Sequence, residues 1–264
     1  MKGQLAALML GIGLASAQAA AEARVEKFIA YTEGELSVDA DGRVEGVALD
    51  RKELGDPIMQ AFEDRIRQWR FKPIVQEGTP VAAKARMRLH LAITRPVGGD
   101  EMTLFFQNVT FVDHSTAADQ RQAVTALERP SFPEEPAVRG IGAQVVMVVR
   151  TDSEGRVVQA AAGQVELLGT SIGKWPVRDA RAFRRNSAKV AARWQLPAYP
   201  DTVLRIPVRF APWGTGDRWI RARMVPVEVP GWVVLELSSK DLVTLGDGGT
   251  ESSRRWQLLT PTDS

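Results

Sequence analysis

Few side chains in this 264-residue chain have the chemistry to act on a substrate. There are two histidines and no cysteine, which removes thiol nucleophiles, disulfides and cysteine-ligated metals together. His90 falls in an alternating run on the side of Lys84, Arg86 and Arg88, so a solvated strand face is expected around it. His114 follows Asp113, a pair too short to imply a triad or a metal site. Glu134-Glu135 sits in a proline-rich stretch and reads as solvated, and nothing selects a carboxylate pair of the glycosidase kind. The sequence is read as lacking Gly-x-Ser-x-Gly, metalloprotease, phosphate-loop and dinucleotide-binding patterns. The expectation is a protein that is not an enzyme and uses no cofactor or metal.

What remains is guanidinium chemistry on strands. One run alternates Ala85, Met87, Leu89, Leu91 and Ile93 with Lys84, Arg86, Arg88 and His90. Another alternates Leu204, Ile206, Val208 and Phe210 with Val203, Arg205, Pro207 and Arg209. Period-two alternation places the apolar set against a core and turns the other set outward. If such a strand lies at a sheet edge, its main chain templates an added strand, and its arginines meet acidic groups on the partner. The same outward charge also protects an edge from aggregation, and Pro207 removes one donor there.

The elements that position these strands occur twice. Asp41-Gly42-Arg43-Val44 recurs as Glu154-Gly155-Arg156-Val157, each after a strand-like run. Acid-Gly between two such runs is a hairpin signal, because glycine tolerates the positive φ of the turn. An amphipathic helix ending in tryptophan follows each hairpin. In the first copy Asp56 reads as N-cap and Pro57 as the first helical residue. Ile58, Phe62, Ile66 and Trp69 then form one apolar stripe. Phe183, Val190 and Trp194 keep that phase in the second copy, with Arg184, Arg185 and Lys189 off the stripe. The fold class predicted is α+β: two tandem β-β-α-β modules, each a small antiparallel sheet covered by one helix, and a β-rich C-terminal tail.

Residues 1–19 read as a signal peptide, with Lys2, an apolar run over 5–15 and small residues Ala17 and Ala19. The run is shorter than the roughly 20 residues of a spanning helix. The formal net charge of +2 does not argue for nucleic acid. Residues 98–128 read as a connector with an extra strand over 102–111, expected to extend the first copy's sheet. In the tail, strands are expected over 219–229, 232–237 and 256–259.

The ordered motifs resemble the TonB C-terminal domain family. Its pattern runs from a Pro-x-Tyr-Pro lead-in through a strand, Asp-Gly-x-Val, and a helix ending Trp-x-Phe/Tyr-x-Pro to a strand closing on Phe. Residues 129–212 match through Pro130-Ser131-Phe132-Pro133, Gly155-Arg156-Val157, Trp194 and Phe210. Residues 24–97 match through Asp41-Gly42-Arg43-Val44 and Trp69-Arg70-Phe71-Lys72-Pro73. The first copy lacks the lead-in, and the second has Gln195-Leu196-Pro197 after its tryptophan. The resemblance implies a periplasmic interaction module that binds envelope proteins, TonB-dependent outer-membrane receptors among them, by strand addition. The partner-binding residues it implies are Arg86, Arg88, His90, Arg205, Pro207 and Arg209, and Pro130, Phe132 and Pro133 would pin the lead-in. Three alternatives stand beside this reading: a membrane-anchored energy transducer, a protein bound to peptidoglycan, and a homodimer made by strand exchange.

Overall fold

The computed structural model describes residues 25–50, 54–113, 127–169, 172–173, 176–212, 218–237, 243–245 and 256–260. The signal-peptide reading of residues 1–19 and residues 114–126 of the connector, His114 among them, lie outside them. The fold is α+β, with a mostly antiparallel sheet and few helices.

One strand pair comes early in each half. β1 (Val25–Val38) pairs with β2 (Val44–Leu49), and β7 (Gly142–Thr151) pairs with β8 (Val157–Leu168). The turns between them are alike. Asp39 Oδ1 accepts the Arg43 amide at 2.7 Å, and Asp152 Oδ1 accepts the amides of Glu154 and Arg156 at 2.9 Å. These bonds hold the Asp152 carboxyl below its usual range, the Arg156 amide contributing most. Gly42 and Gly155 take φ of 81° and 76°, a region that L side chains avoid.

Helix α1 (Asp56–Arg67) buries Met59, Phe62 and Ile66 against the first pair. Its cap is Gly55, at φ 85°, so Asp56 sits in the first turn as an acid near the helix N-terminus rather than as the cap. A small hairpin of β3 (Val75–Gln76) and β4 (Thr79–Pro80) follows, then β5 (Ala83–Pro96) and β6 (Thr103–Asp113). In the other half, α2 (Glu134–Val138) precedes β7, and α3 (Pro176–Ala191) leads from β8 to β9 (Val203–Phe210). Ala180, Phe183, Ser187 and Val190 of α3 are buried, the phase expected from the apolar spacing.

With β10 (Ile220–Val225) and β11 (Val243–Thr244), the strand order is β11-β9-β7-β8-β10-β1-β5-β6, and β2 pairs with β1 opposite β5, farther along the side that β10 shares. One core under α1 holds Phe62, Trp69, Phe71, Phe106, Phe111 and Trp256. Another under α3 holds Phe183, Trp194, Leu204 and Phe210. Among the described residues, β10 (Ile220–Val225) is the strand that joins the two halves. Ala222 pairs with Leu168 of β8 on one side and with Lys27 of β1 on the other. The tail therefore supplies a seam between the two halves.

Two expectations for the tail need correction. Residues 231–237 form the short helix α4 (Gly231–Leu237), not a strand. It covers part of the C-terminal half, where Val233 is fully buried and Arg150 stacks on Trp232 and pairs with Glu236. Residues 256–259 make a single bridge, Phe71 with Leu258, while Trp256 closes the aromatic core by stacking on Phe111. The extra strand expected over 102–111 is β6, which pairs along β5 as an extension of the N-terminal half.

Candidate functional site

β5 is not an edge. All fourteen of its residues pair with β1, and ten of them pair on the other side with β6. A partner strand has no access to its main chain, so the partner-binding role expected of Arg86, Arg88 and His90 as a recognition strand is corrected. Arg86 and Arg88 converge on Glu33 of β1 at 2.5 and 3.1 Å, which accounts for them as cross-strand ion pairs.

His90 is not solvated. Only 7% of it is exposed, and its ring meets the Tyr31 ring edge-on with centroids 4.3 Å apart. Burial, aided by the nearby Arg209 charge, pushes its pKa down from 6.5 to about 3. The cause is an internal contact between the outer faces of the two halves. Arg209 lies over the Tyr31 ring, 3.4 Å from its centroid, and the Tyr31 hydroxyl donates to Gln144 at 3.0 Å. Deeper in the same contact, Lys27 pairs with Glu166 at 2.7 Å, where the carboxylate is 1% exposed. Alternation along each strand separates inward from outward residues. It does not reveal that two outward faces meet, and this is why His90 and Arg209 looked solvated.

β9 is placed differently. On one side it pairs with β7 throughout, and on the other β11 (Val243–Thr244) pairs with it in parallel at Leu204 and Arg205 alone. The Leu245 amide donates to the Arg205 carbonyl at 2.9 Å, so Arg205 turns its main chain away from β7. By the two-residue period Pro207 does the same. Its missing N–H therefore falls on the side away from the ladder, the position where a strand tolerates proline. Arg205 is half-buried, and burial lowers its pKa.

Beside the end of β9 lies a cleft of about 160 Å³, lined on one wall by Val208, Arg209, Phe210 and Ala211 and on the other by residues 127–130 and Phe132, with Trp194 at its side. The lead-in motif builds the second wall. Phe132 packs edge-on against Phe183 and Phe210, with centroids 5.5 and 5.7 Å away. Pro133 caps the start of α2 and Pro130 lines the cleft. Trp194 Nε1 donates to the Glu128 carbonyl at 2.9 Å, and Arg193 pairs with the Glu128 carboxylate, holding it below its usual range. The structure thus brings Pro130, Phe132 and Arg209 together at the cleft, with Pro133 next to them; His90 lies near Arg209, against Tyr31 and outside the cleft, and Arg86 and Arg88 pair with Glu33.

One signal in the sequence was passed over. Residues 169–173 read Gly-Thr-Ser-Ile-Gly, a Gly-x-Ser-x-Gly pattern between β8 and α3. Its serine, Ser171, lies outside the described residues. Of the two histidines, His90 is buried against Tyr31 and is neutral and nearly unprotonatable at ordinary pH, and His114 is not described. The pattern by itself carries no hydrolytic site. Among the described residues no group of three or more His, Asp or Glu is placed to hold a metal ion.

Compared with known proteins, the chain matches no family model, no curated protein and no solved structure.

Proposed function

We propose that this is an exported interaction protein built from two β-β-α-β units of the TonB C-terminal kind, and that it captures an extended segment of another envelope protein beside β9. The duplication is supported by a shared order of strands. β5-β1-β2 in one half corresponds to β9-β7-β8 in the other, and in both the helix connects the second strand to the third. The periplasm is the proposed compartment, from the reading of residues 1–19.

The observation that carries the binding site is the cleft at the end of β9. An incoming strand takes the place held by the two-residue β11 and runs on into the cleft between residues 208–211 and the lead-in segment. Main-chain pairing gives affinity there, and Phe132, Trp194 and Pro130 give an apolar wall for one side chain of the partner. Periplasm-facing segments of outer-membrane receptors are the partner class. Arg205, Pro207 and Arg209 belong to the site as the strand that is read.

Synthetic extended peptides from such receptor segments test this by fluorescence anisotropy against the exported chain. Binding that Ala211→Trp abolishes is the expected result. Failure of every peptide to bind, or binding indifferent to Ala211→Trp in a folded protein, would overturn it.

A further inference from the structure

The two large helices differ in charge in a way the proposed binding site does not use. α1 balances its ions: Arg67 pairs with Asp64 at 2.8 Å and with Glu63 at 3.6 Å. α3 does not. Its sequence, PVRDARAFRRNSAKVA, holds five cations and one acid, and that acid, Asp179, is buried and held by Arg139. Arg178 pairs with Glu135. Arg181, Arg184, Arg185 and Lys189 have no ion-pair partner among the described residues. Arg181, Arg185 and Lys189 follow one another at i, i+4, where like charges repel and weaken a helix. A protein of net charge +2 therefore concentrates unneutralised positive charge on one solvent-facing stripe.

The surroundings of the stripe give it shape. Arg181 and Arg185 line two open grooves, one on each flank of α3. The first, of about 420 Å³, runs toward α2, whose Glu134 and Glu135 line it, Glu135 being paired with Arg178. The second, of about 520 Å³, runs toward residues 226–228, with Arg184 on its wall and Glu228 as its acid. Two apolar side chains stand exposed at the same end, Val138 at the end of α2 (84%) and Val177 at the start of α3 (55%). Guanidinium groups bracketed by grooves, with small apolar side chains projecting beside them, match a surface of anionic headgroups over an apolar layer.

We infer that the outer stripe of α3, through Arg181, Arg184, Arg185 and Lys189, docks the protein on an anionic phospholipid bilayer. The stripe lies on the helix face away from the sheet, so docking leaves β9 and its cleft to a protein partner. The inference does not rest on the β9 site.

Co-sedimentation of the exported chain with phosphatidylglycerol-containing vesicles tests it, with phosphatidylcholine vesicles and soluble polyphosphate as the other arms. The expected result is binding to the anionic vesicles, little to the neutral ones, and loss at high salt. Arg181→Glu/Arg185→Glu should weaken vesicle binding by roughly tenfold or more, while Arg86→Glu, on the other half, should leave it unchanged. Equal binding to neutral vesicles, no binding to anionic ones, binding to polyphosphate alone, or a double variant that binds like the parent while its circular dichroism is unchanged would each overturn it.

Discussion

The amide of Phe71 donates to the Gly42 carbonyl at 2.8 Å, and a methyl group built on Gly42 would stand 2.0 Å from the Phe71 carbonyl oxygen. The same relationship joins Leu196 to Gly155, at 2.7 Å for the hydrogen bond and 2.4 Å for the contact. In both halves the hairpin glycine is the seat for the chain two residues past the tryptophan. This contact gives one physical reason why Gly-Arg-Val and the helix-ending Trp appear as a linked pair in the sequence.

Gly42→Ala and Gly155→Ala should therefore cost more than a positive φ alone explains. Gly78 takes the same φ, 81°, with nothing near its missing side chain, so Gly78→Ala serves as the comparison. About 1 kcal/mol is expected at Gly78 and about 2–4 kcal/mol at Gly42 and Gly155, read as shifts in urea midpoint at constant slope. Equal losses at all three sites would show that backbone approach is unimportant.

His90 should make stability depend on pH. Its pKa is about 3 in the fold against an ordinary 6.5, so the unfolded chain takes up the proton first as pH falls. The stabilisation is complete above about pH 6.5 and declines through the window down to about 3. By pH 4 the loss should reach roughly 3 kcal/mol. His90→Gln should flatten this part of the stability curve. Parallel curves for the two proteins would mean that His90 titrates normally.

Lys27 and Glu166 provide a test of the contact between the two outer faces. Lys27→Met leaves the buried Glu166 without its cation and should cost about 3–5 kcal/mol, whereas Lys27→Met/Glu166→Leu should recover most of that. Thermal melts of the three proteins decide it, and a single variant as stable as the parent would place Glu166 in water.

Local order was legible in the sequence where period and turn chemistry act alone. The alternation of Ala85 to Ile93, the Ile58, Phe62, Ile66 and Trp69 stripe and the two hairpin glycines all map onto their elements. The assembly was not legible. Nothing in residues 219–229 announces that Ala222 joins two sheets, and although residues 102–111 read as a strand that extends the first sheet, nothing in them says that it covers the β5 edge. The tail misled for a related reason: Trp232, Val233 and Val234 have high strand propensity, but the Pro230-Gly231 start and the buried Val233 favour one short helical turn against the sheet. At the site, Phe132, Trp194 and Arg209 were identified from the motif and the alternation, while the cleft between them also depends on Glu128 and Ala211, which no local pattern marks.

The most direct test of the central claim sets the β9 cleft against the interior strand β5 in one binding assay. Receptor-segment peptides should bind the protein, lose at least tenfold in affinity with Ala211→Trp, and be unaffected by Arg86→Glu. Peptide binding that follows Arg86→Glu and ignores Ala211→Trp, or no binding at all, would contradict capture of an extended partner segment beside β9.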